Sequence, residues 1–372
     1  MRSPGEIVSA IPHLLGFLPT ESLVCISLRG KQVGMSARID LTDADDRDCR
    51  KAVIDALRRD RATAAIVVGF GSDRAEVSPV VCDWVDMLRE ERFGVADEIS
   101  VIGDRWFHER CQRPACCPPE GTPVADHASA PSTLAVRAAT GGYLPDRAAI
   151  EAECHPDRPL LLAAIRSILT NQVPDTDEDE VWQRADVSPE GLQEAVASDI
   201  CALLGWGEPR AESATRMARA AMFCSIGDVR DLWYCVVAPG MMTGTTPRWR
   251  SGHAVITAAG FAAGDLDEDG VLLDTDARDR VLTRLLGFVR NLPDDLPHTT
   301  MPALTVAAAA FFCAGDGVRA LSLAERAHRL PVAPLGMLTT VTNCLAAGFR
   351  PEHLGALSQS SPGRGRVSRR SA

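Results

Sequence analysis

The sequence predicts an α/β domain followed by a mostly α-helical domain with helical-hairpin, tetratricopeptide-like character. Three observations carry that expectation. Strand-like runs alternate with helical stripes up to about residue 150. Beyond it the strand signals fade and apolar residues recur at helical spacing. At 372 residues, with 46% apolar and 24% charged residues, the chain can bury more than one core. The expected division is an α/β domain at 1–150, a helical domain at 151–357 and a disordered basic tail at 358–372.

Ser22–Leu28 and Val33–Leu41 read as strands joined by a turn at Arg29-Gly-Lys-Gln32, which makes a hairpin. From Asp48 to Arg59 the residues Cys49, Ala52, Val53, Ala56 and Leu57 form one helical stripe. Ala64–Phe70 is a nearly continuous apolar run, the pattern of a strand buried on both faces. Ser78 and Pro79 supply an N-cap and a first-turn proline for a helix ending at Gly94. Ile99–Cys111 holds another strand or hairpin around Gly103-Asp104. Strand and helix in alternation imply some parallel pairing.

Helical spacing then appears at Leu160–Leu169, Pro189–Leu204, Glu212–Phe223 and Ala277–Val289. Acidic stretches at 174–180 and 264–276 separate them as loops. Leu304, Ala308, Phe311, Gly315, Ala320, Ala324, Ala327 and Pro331 fall near the small-residue and proline positions of a tetratricopeptide-type hairpin. A continuous repeat core needs about three copies, and barely two are readable.

Composition removes several function classes. A net charge of −11 argues against a nucleic-acid binder, which needs a basic face. No apolar run is long enough to span a bilayer, and the N-terminus lacks the layout of a signal peptide, so a cytoplasmic protein is expected. Lys31 and Lys51 are the only lysines, against thirty-seven arginines, and no phosphate-binding G-x-x-x-x-G-K-[ST] loop can be written. Nine of the twelve cysteines are scattered, mostly in apolar runs, where a reduced thiol acts as a small hydrophobe.

The other three lie in Cys111-Gln-Arg-Pro-Ala-Cys116-Cys117-Pro-Pro-Glu120-Gly-Thr-Pro-Val124, which packs three thiols and four prolines into fourteen residues. Zinc wants about four soft ligands, and Cys111, Cys116 and Cys117 with His108 would supply them. Strand alternation, if the strand runs through Cys111, puts His108 on the opposite face, and adjacent cysteines rarely reach one ion. Pro118 and Pro119 stiffen the loop without metal. A rigid reduced loop with no cofactor is therefore the expectation, with zinc and a disulfide or redox pair as alternatives. Arg110 and Arg113 flank Cys111 and would lower its pKa.

Asp265, Asp267, Asp269 and Asp276 occupy oxygen-ligand positions of a calcium loop, with Asp276 where a glutamate is usual. Arg38 and Asp40, two apart on one strand, project from one face and pair or line a cleft. With Trp106, Cys111, Cys116, Cys117 and Glu120 they are the candidate ligand or structural site. Gly69-Phe-Gly71 precedes a helix, but the third glycine of a dinucleotide loop is missing. Neither a G-x-S-x-G elbow nor an H-E-x-x-H pair is present.

Pro12–Leu23, Ala37-Arg-Ile-Asp-Leu41, Gly103-Asp-Arg-Trp-Phe107 and Cys116–Val124 resemble the landmarks of an actinobacterial family, domain of unknown function 4192. The resemblance continues in order through Ala314–Gly317 and Leu323–Ala327, and the cysteine–proline segment is its most specific part. It implies no activity, cofactor or substrate. The expected function is a cytoplasmic binding or scaffold module that meets a protein partner through its helices. The alternative is a metal- or thiol-dependent enzyme centred on the Cys111–Glu120 loop, with Glu120 as acid or base. A third reading is a calcium-responsive protein.

Overall fold

The computed structural model describes residues 3–111, 113–140, 142–172, 189–206, 213–241, 248–267 and 270–349. The predicted tail and the acidic stretch at 174–180 lie outside them.

Strands β1 (Ser22–Arg29) and β2 (Gln32–Asp40) form the expected antiparallel hairpin, turning at Gly30, whose φ of 62° suits glycine. Helix α2 (Arg47–Arg59) leads to β3 (Ala64–Gly71), which lies antiparallel on the other side of β1. Helix α3 (Arg74–Glu90) crosses over to β4 (Gly94–Ile102), parallel to β3. A tight turn then gives β5 (Arg105–His108), and β6 (Thr122–Pro123) closes a six-stranded mixed sheet in the order β2-β1-β3-β4-β5-β6.

Both faces of this sheet are covered. Leu23, Cys25, Ala65 and Val67 point toward α2 and α3, where Leu57, Val81, Trp84 and Leu88 are buried. Val24, Ile26, Val68, Ile99 and Trp106 point the other way, against α1 (Pro4–Leu15). Two-sided burial explains why β1 and β3 read as unbroken apolar runs. Helix α1 in turn carries α4 (Pro131–Thr140) on its outer side.

Two local expectations need correction. Helix α3 starts at Arg74, not at Pro79: Asp73 is the N-cap and accepts from Ala75 N at 2.8 Å. Pro79 sits inside the helix, and Ser78 spends its hydroxyl on Glu109. The last strand stops at His108, short of Cys111.

Past β6 the chain is helical: α5 (Arg147–Glu153), α6 (Pro159–Gln172), α7 (Pro189–Leu203), α8 (Ala214–Phe223), α9 (Gly227–Val237), α10 (Arg250–Ala262), α11 (Thr275–Arg290), α12 (Pro297–Cys313), α13 (Gly317–His328) and α14 (Gly336–Ala346). Helix α12 is the centre: fourteen of its seventeen residues are buried, so it has no polar face. Its Ala303 and Ala307–Ala310 let α8, α9, α11, α13 and α14 pack around it. Helices α12 and α13 form a hairpin, with Ala308, Ala320, Ala324 and Ala327 buried. Trp233 of α9 stacks on Phe288 of α11 with ring centroids 5.8 Å apart.

One charged side chain is wholly enclosed in this array. Arg326 of α13, 1% exposed, donates from Nη1 to the carbonyls of Cys154, Val289 and Arg290 at 2.9, 3.2 and 3.2 Å. Its Nη2 reaches Leu292 O and Asp294 Oδ1, both at 2.7 Å. It thereby caps the C-terminus of α11 and ties α5 to α13. At the far end of the chain, Arg59 of α2 donates to Ala347 O and lies 4.7 Å from the Phe349 ring centroid, joining the helical array to the sheet. Among the described residues no helix is long and apolar enough to cross a membrane.

Arg326→Leu keeps much of the volume but leaves buried carbonyls without donors. We expect a loss of about 3–5 kcal/mol in chemical denaturation, against little change for an exposed control such as Arg137→Leu.

Candidate functional site

The cysteine loop is built where β5 ends. The imidazole of His108 accepts at Nδ1 from the backbone N–H of Arg110 and of Cys111, at 3.3 and 3.2 Å. These bonds substitute for the next ladder pairs and turn the chain off the sheet. His108 Nε2 lies 3.4 Å from Asp97 Oδ1, so both ring nitrogens are engaged. The alternation that separated His108 from Cys111 therefore does not apply, yet His108 is still not a fourth ligand.

Next comes a tight turn. Arg113 O accepts from Cys116 N and Cys117 N at 3.1 and 2.8 Å, which folds the adjacent cysteines back over Cys111. Cys111 Sγ is 3.4 Å from Cys116 Sγ, and Cys116 Sγ is 3.7 Å from Cys117 Sγ. All three sulfurs lie within 4.8 Å of one another. Adjacent thiols do converge here, against the sequence expectation, because the turn rotates them to one side. At the end of the loop Gly121 has φ 77°, and a Cβ there would stand 2.6 Å from the Phe107 ring, so only glycine fits.

The thiols border a cavity of about 180 Å³ lined by Arg74, Trp106, Phe107, His108, Cys111 and Cys117, among others. The Arg74 guanidinium lies 4.4 Å from the centroid of the Phe107 ring, a cation–π contact. Arg74 also approaches Glu109 Oε2 at 3.6 Å, and the other Glu109 oxygen has no hydrogen-bond partner among the described residues. Trp106 is 5% exposed and its indole N–H likewise has no such partner. Arg110 is held away from the thiols by Asp86 and Glu98, at 2.5 and 3.0 Å.

The three thiols are not equivalent. The Cys111 thiol is lowered, first by hydrogen bonding from Cys117, then by the Arg113 backbone and by Cys116. Cys117 is pushed up to about 12, chiefly by burial and then by Cys111. Arg113 adds a minor electrostatic pull on Cys111, whereas Arg110 is occupied elsewhere.

The remaining predicted residues lie apart. Arg38 and Asp40 form a 2.5 Å ion pair on β2, with β1, β3 and β4 between them and β5. They do not share a site with the cysteines, because strand order separates them. Arg38 instead donates to Ser22 Oγ at 2.8 Å. Glu120 is exposed, and its carbonyl accepts from Arg105 at 3.3 Å. In the acidic loop, Asp265 accepts from Trp206 Nε1 at 2.7 Å and pairs with Arg280, while Asp267 accepts from Val271 N at 2.8 Å. Asp276 is in the first turn of α11, and Asp269 lies outside the described residues. Among the described residues the thiol trio is the one place where three metal-ligating side chains gather.

Sequence reasoning passed over Arg74, Phe107, Asp97 and Glu109. Arg74 was legible as part of a strand-to-helix turn, but nothing local showed that β5 runs beside it.

These features define a class: a mixed-sheet α/β domain with a cysteine loop on its β5 side, joined to a helical array. A family model described as Domain of unknown function (DUF4192) matches residues 4–246, and the chain belongs to that family. The match takes in the sheet, the cysteine loop and the helices through α9, and ends before the landmarks at 314–317 and 323–327. No curated protein and no solved structure matches the chain.

The thiol asymmetry has a direct readout. In limited alkylation of the chelator-treated, metal-free protein with iodoacetamide near neutral pH, followed by peptide mass spectrometry, Cys111 should be modified well before Cys117, although both are partly accessible.

Proposed function

We propose that the chain is a small-ligand-binding module organised around a soft-metal thiolate centre at Cys111, Cys116 and Cys117. The observation that carries this reading is the convergence of three sulfurs within 4.8 Å at the edge of a cavity. Tetrahedral zinc with sulfurs at about 2.3 Å sets neighbouring sulfurs about 3.8 Å apart. The observed 3.4 and 3.7 Å spacings are near that value, so a small adjustment would seat the ion. Three protein ligands leave a position for an outside group, the pattern of sites that bind a ligand at the metal. Cys111 and Cys117 line the cavity, and Arg74 in the same wall would offer positive charge to an anionic ligand. Binding would hold the thiols deprotonated, which the hydrogen bonds to Cys111 favour at that sulfur and burial opposes at Cys117.

A second reading has its own observation. A lowered Cys111 thiol beside Cys116 suits thiol–disulfide exchange. The Cys111 thiolate would attack one sulfur of a disulfide substrate and release the other as a thiolate. Cys116, losing its proton, would then displace the second half and leave a Cys111–Cys116 disulfide. A partner surface on the helices has less behind it, since the α12–α13 hairpin turns its small residues into its own core.

The test is anaerobic purification, elemental analysis and thiol titration of the denatured protein with and without reductant. We expect about one equivalent of zinc, lost in Cys111→Ser, Cys116→Ser or Cys117→Ser while circular dichroism keeps its helical signal. Absence of metal with all twelve thiols titrating before reduction overturns the centre. Absence of metal with two thiols appearing only after reduction replaces it with the exchange reading.

A further inference from the structure

Sulfurs as close as those of the cysteine loop have two competing uses. Cys111 Sγ and Cys116 Sγ lie 3.4 Å apart, closer than Cys116 Sγ and Cys117 Sγ at 3.7 Å. On a zinc ion the pair are ligands. Joined to each other, after losing two electrons, they are a disulfide and can no longer serve as thiolate ligands. The site has no reserve against that loss, because both ring nitrogens of His108 are engaged elsewhere. Removing two of three thiolates leaves Cys117 alone, which is too few protein ligands for zinc.

Three observations favour this pair and this outcome. The first is access. Cys116 is exposed and Cys111 partly so, whereas a structural zinc site closes four protein ligands around its ion. The second is pairing. Adjacent Cα atoms stand about 3.8 Å apart across a trans peptide, short of the roughly 4.4–6.8 Å that disulfides usually span, so Cys116 and Cys117 are poor partners for each other. Their two N–H groups are also tied to Arg113 O, which resists the twist that a bond between neighbours needs. The third is independence from the fold. Among the described residues none from 111 to 121 enters a hydrophobic core, while Trp106 and Val124 on either side pack into one. The loop can therefore change its covalent state while the sheet beside it holds.

We propose that the loop is a redox-controlled metal site, which releases its zinc when a hydroperoxide joins Cys111 to Cys116. This inference rests on the metal centre proposed above and adds its regulation. The exposed Cys116 thiolate attacks one peroxide oxygen and the O–O bond breaks. The other oxygen leaves with a proton as water or an alcohol, and Cys116 becomes a sulfenic acid. The Cys111 thiolate then attacks the Cys116 sulfur and closes the S–S bond, and the displaced hydroxide takes a second proton to leave as water. Each sulfur has lost one electron and the peroxide has gained two. Zinc departs, and Cys117 takes up a proton. Since Cys111 and Cys117 line the cavity, oxidation also takes the ion out of its wall, and a ligand held at the metal leaves with it.

The experiment uses the full chain, purified anaerobically and loaded with zinc, with bound metal measured before any oxidant is added. Hydrogen peroxide or cumene hydroperoxide is then titrated in the presence of a chromogenic zinc chelator, and peptides are mapped without reduction. About one equivalent of peroxide should release about one equivalent of zinc and yield a Cys111–Cys116 disulfide, with Cys117 still open to alkylation. Circular dichroism should keep its helical signal, and reductant with added zinc should restore the loaded state. Cys117→Ser, which lacks the third thiol, should form the same disulfide. Zinc that stays bound in excess peroxide overturns the switch and leaves the metal centre standing. So does zinc lost with Cys116 joined to Cys117 or oxidised to the sulfinic acid, or a Cys117→Ser variant that forms no disulfide. A protein that takes up no zinc before oxidant is added fails at the first step and overturns both.

Discussion

The helical half is organised around one guanidinium that has no route to water. Arg326 gathers carbonyls from Cys154, at the end of α5, and from Val289, Arg290 and Leu292, at the end of α11. A helix C-terminus leaves its last carbonyls without intrahelical donors, and burying them is unfavourable unless something donates. Arginine suits this because its planar fork reaches several acceptors at once and stays charged. Asp294 completes the arrangement by balancing the charge.

Much of the α/β half was legible because its cause is local. A strand covered on both faces must be apolar at consecutive positions, and Leu23–Ile26 and Ala65–Val68 show that directly. Prolines misled. Pro79 suggests a helix start, and Pro12 hides α1, yet both lie inside helices that tertiary packing sustains. Arg38 and Asp40 looked like neighbours of the cysteine loop, and no local pattern could show that three strands intervene. The central helix α12 was legible as half of a hairpin. That it is enclosed all round depends also on α8 and α9, which lie far from it in sequence, and on α11 and α14.

The cysteine loop shows why residue spacing alone misjudged its chemistry. Reasoning from an extended strand sets His108 against Cys111, and reasoning from adjacency keeps Cys116 and Cys117 apart. Both arguments assume the backbone continues as it began. His108 ends the strand by offering its ring nitrogen to two N–H groups, and Arg113 O then draws two more. Competition between side-chain and backbone acceptors decides the geometry, and it depends on burial, which a sequence pattern does not display. The prolines flanking the thiols limit the conformations the loop loses on folding, so the sulfurs converge at a small entropic cost.

The enclosed alanine helix has a consequence for how this chain can vary. Each alanine in α12 contributes little apolar area, so the core's favourable burial comes from the larger side chains that surround it. The alanines set the spacing between helices, much as a gauge sets the distance between rails. Enlarging any of Ala307–Ala310 would push apart several helices at once, because an interior this dense has no slack to absorb added volume. Drift is therefore freer in the residues that fill the space than in those that define it, and the plainest stretch of the sequence should be among the slowest to change.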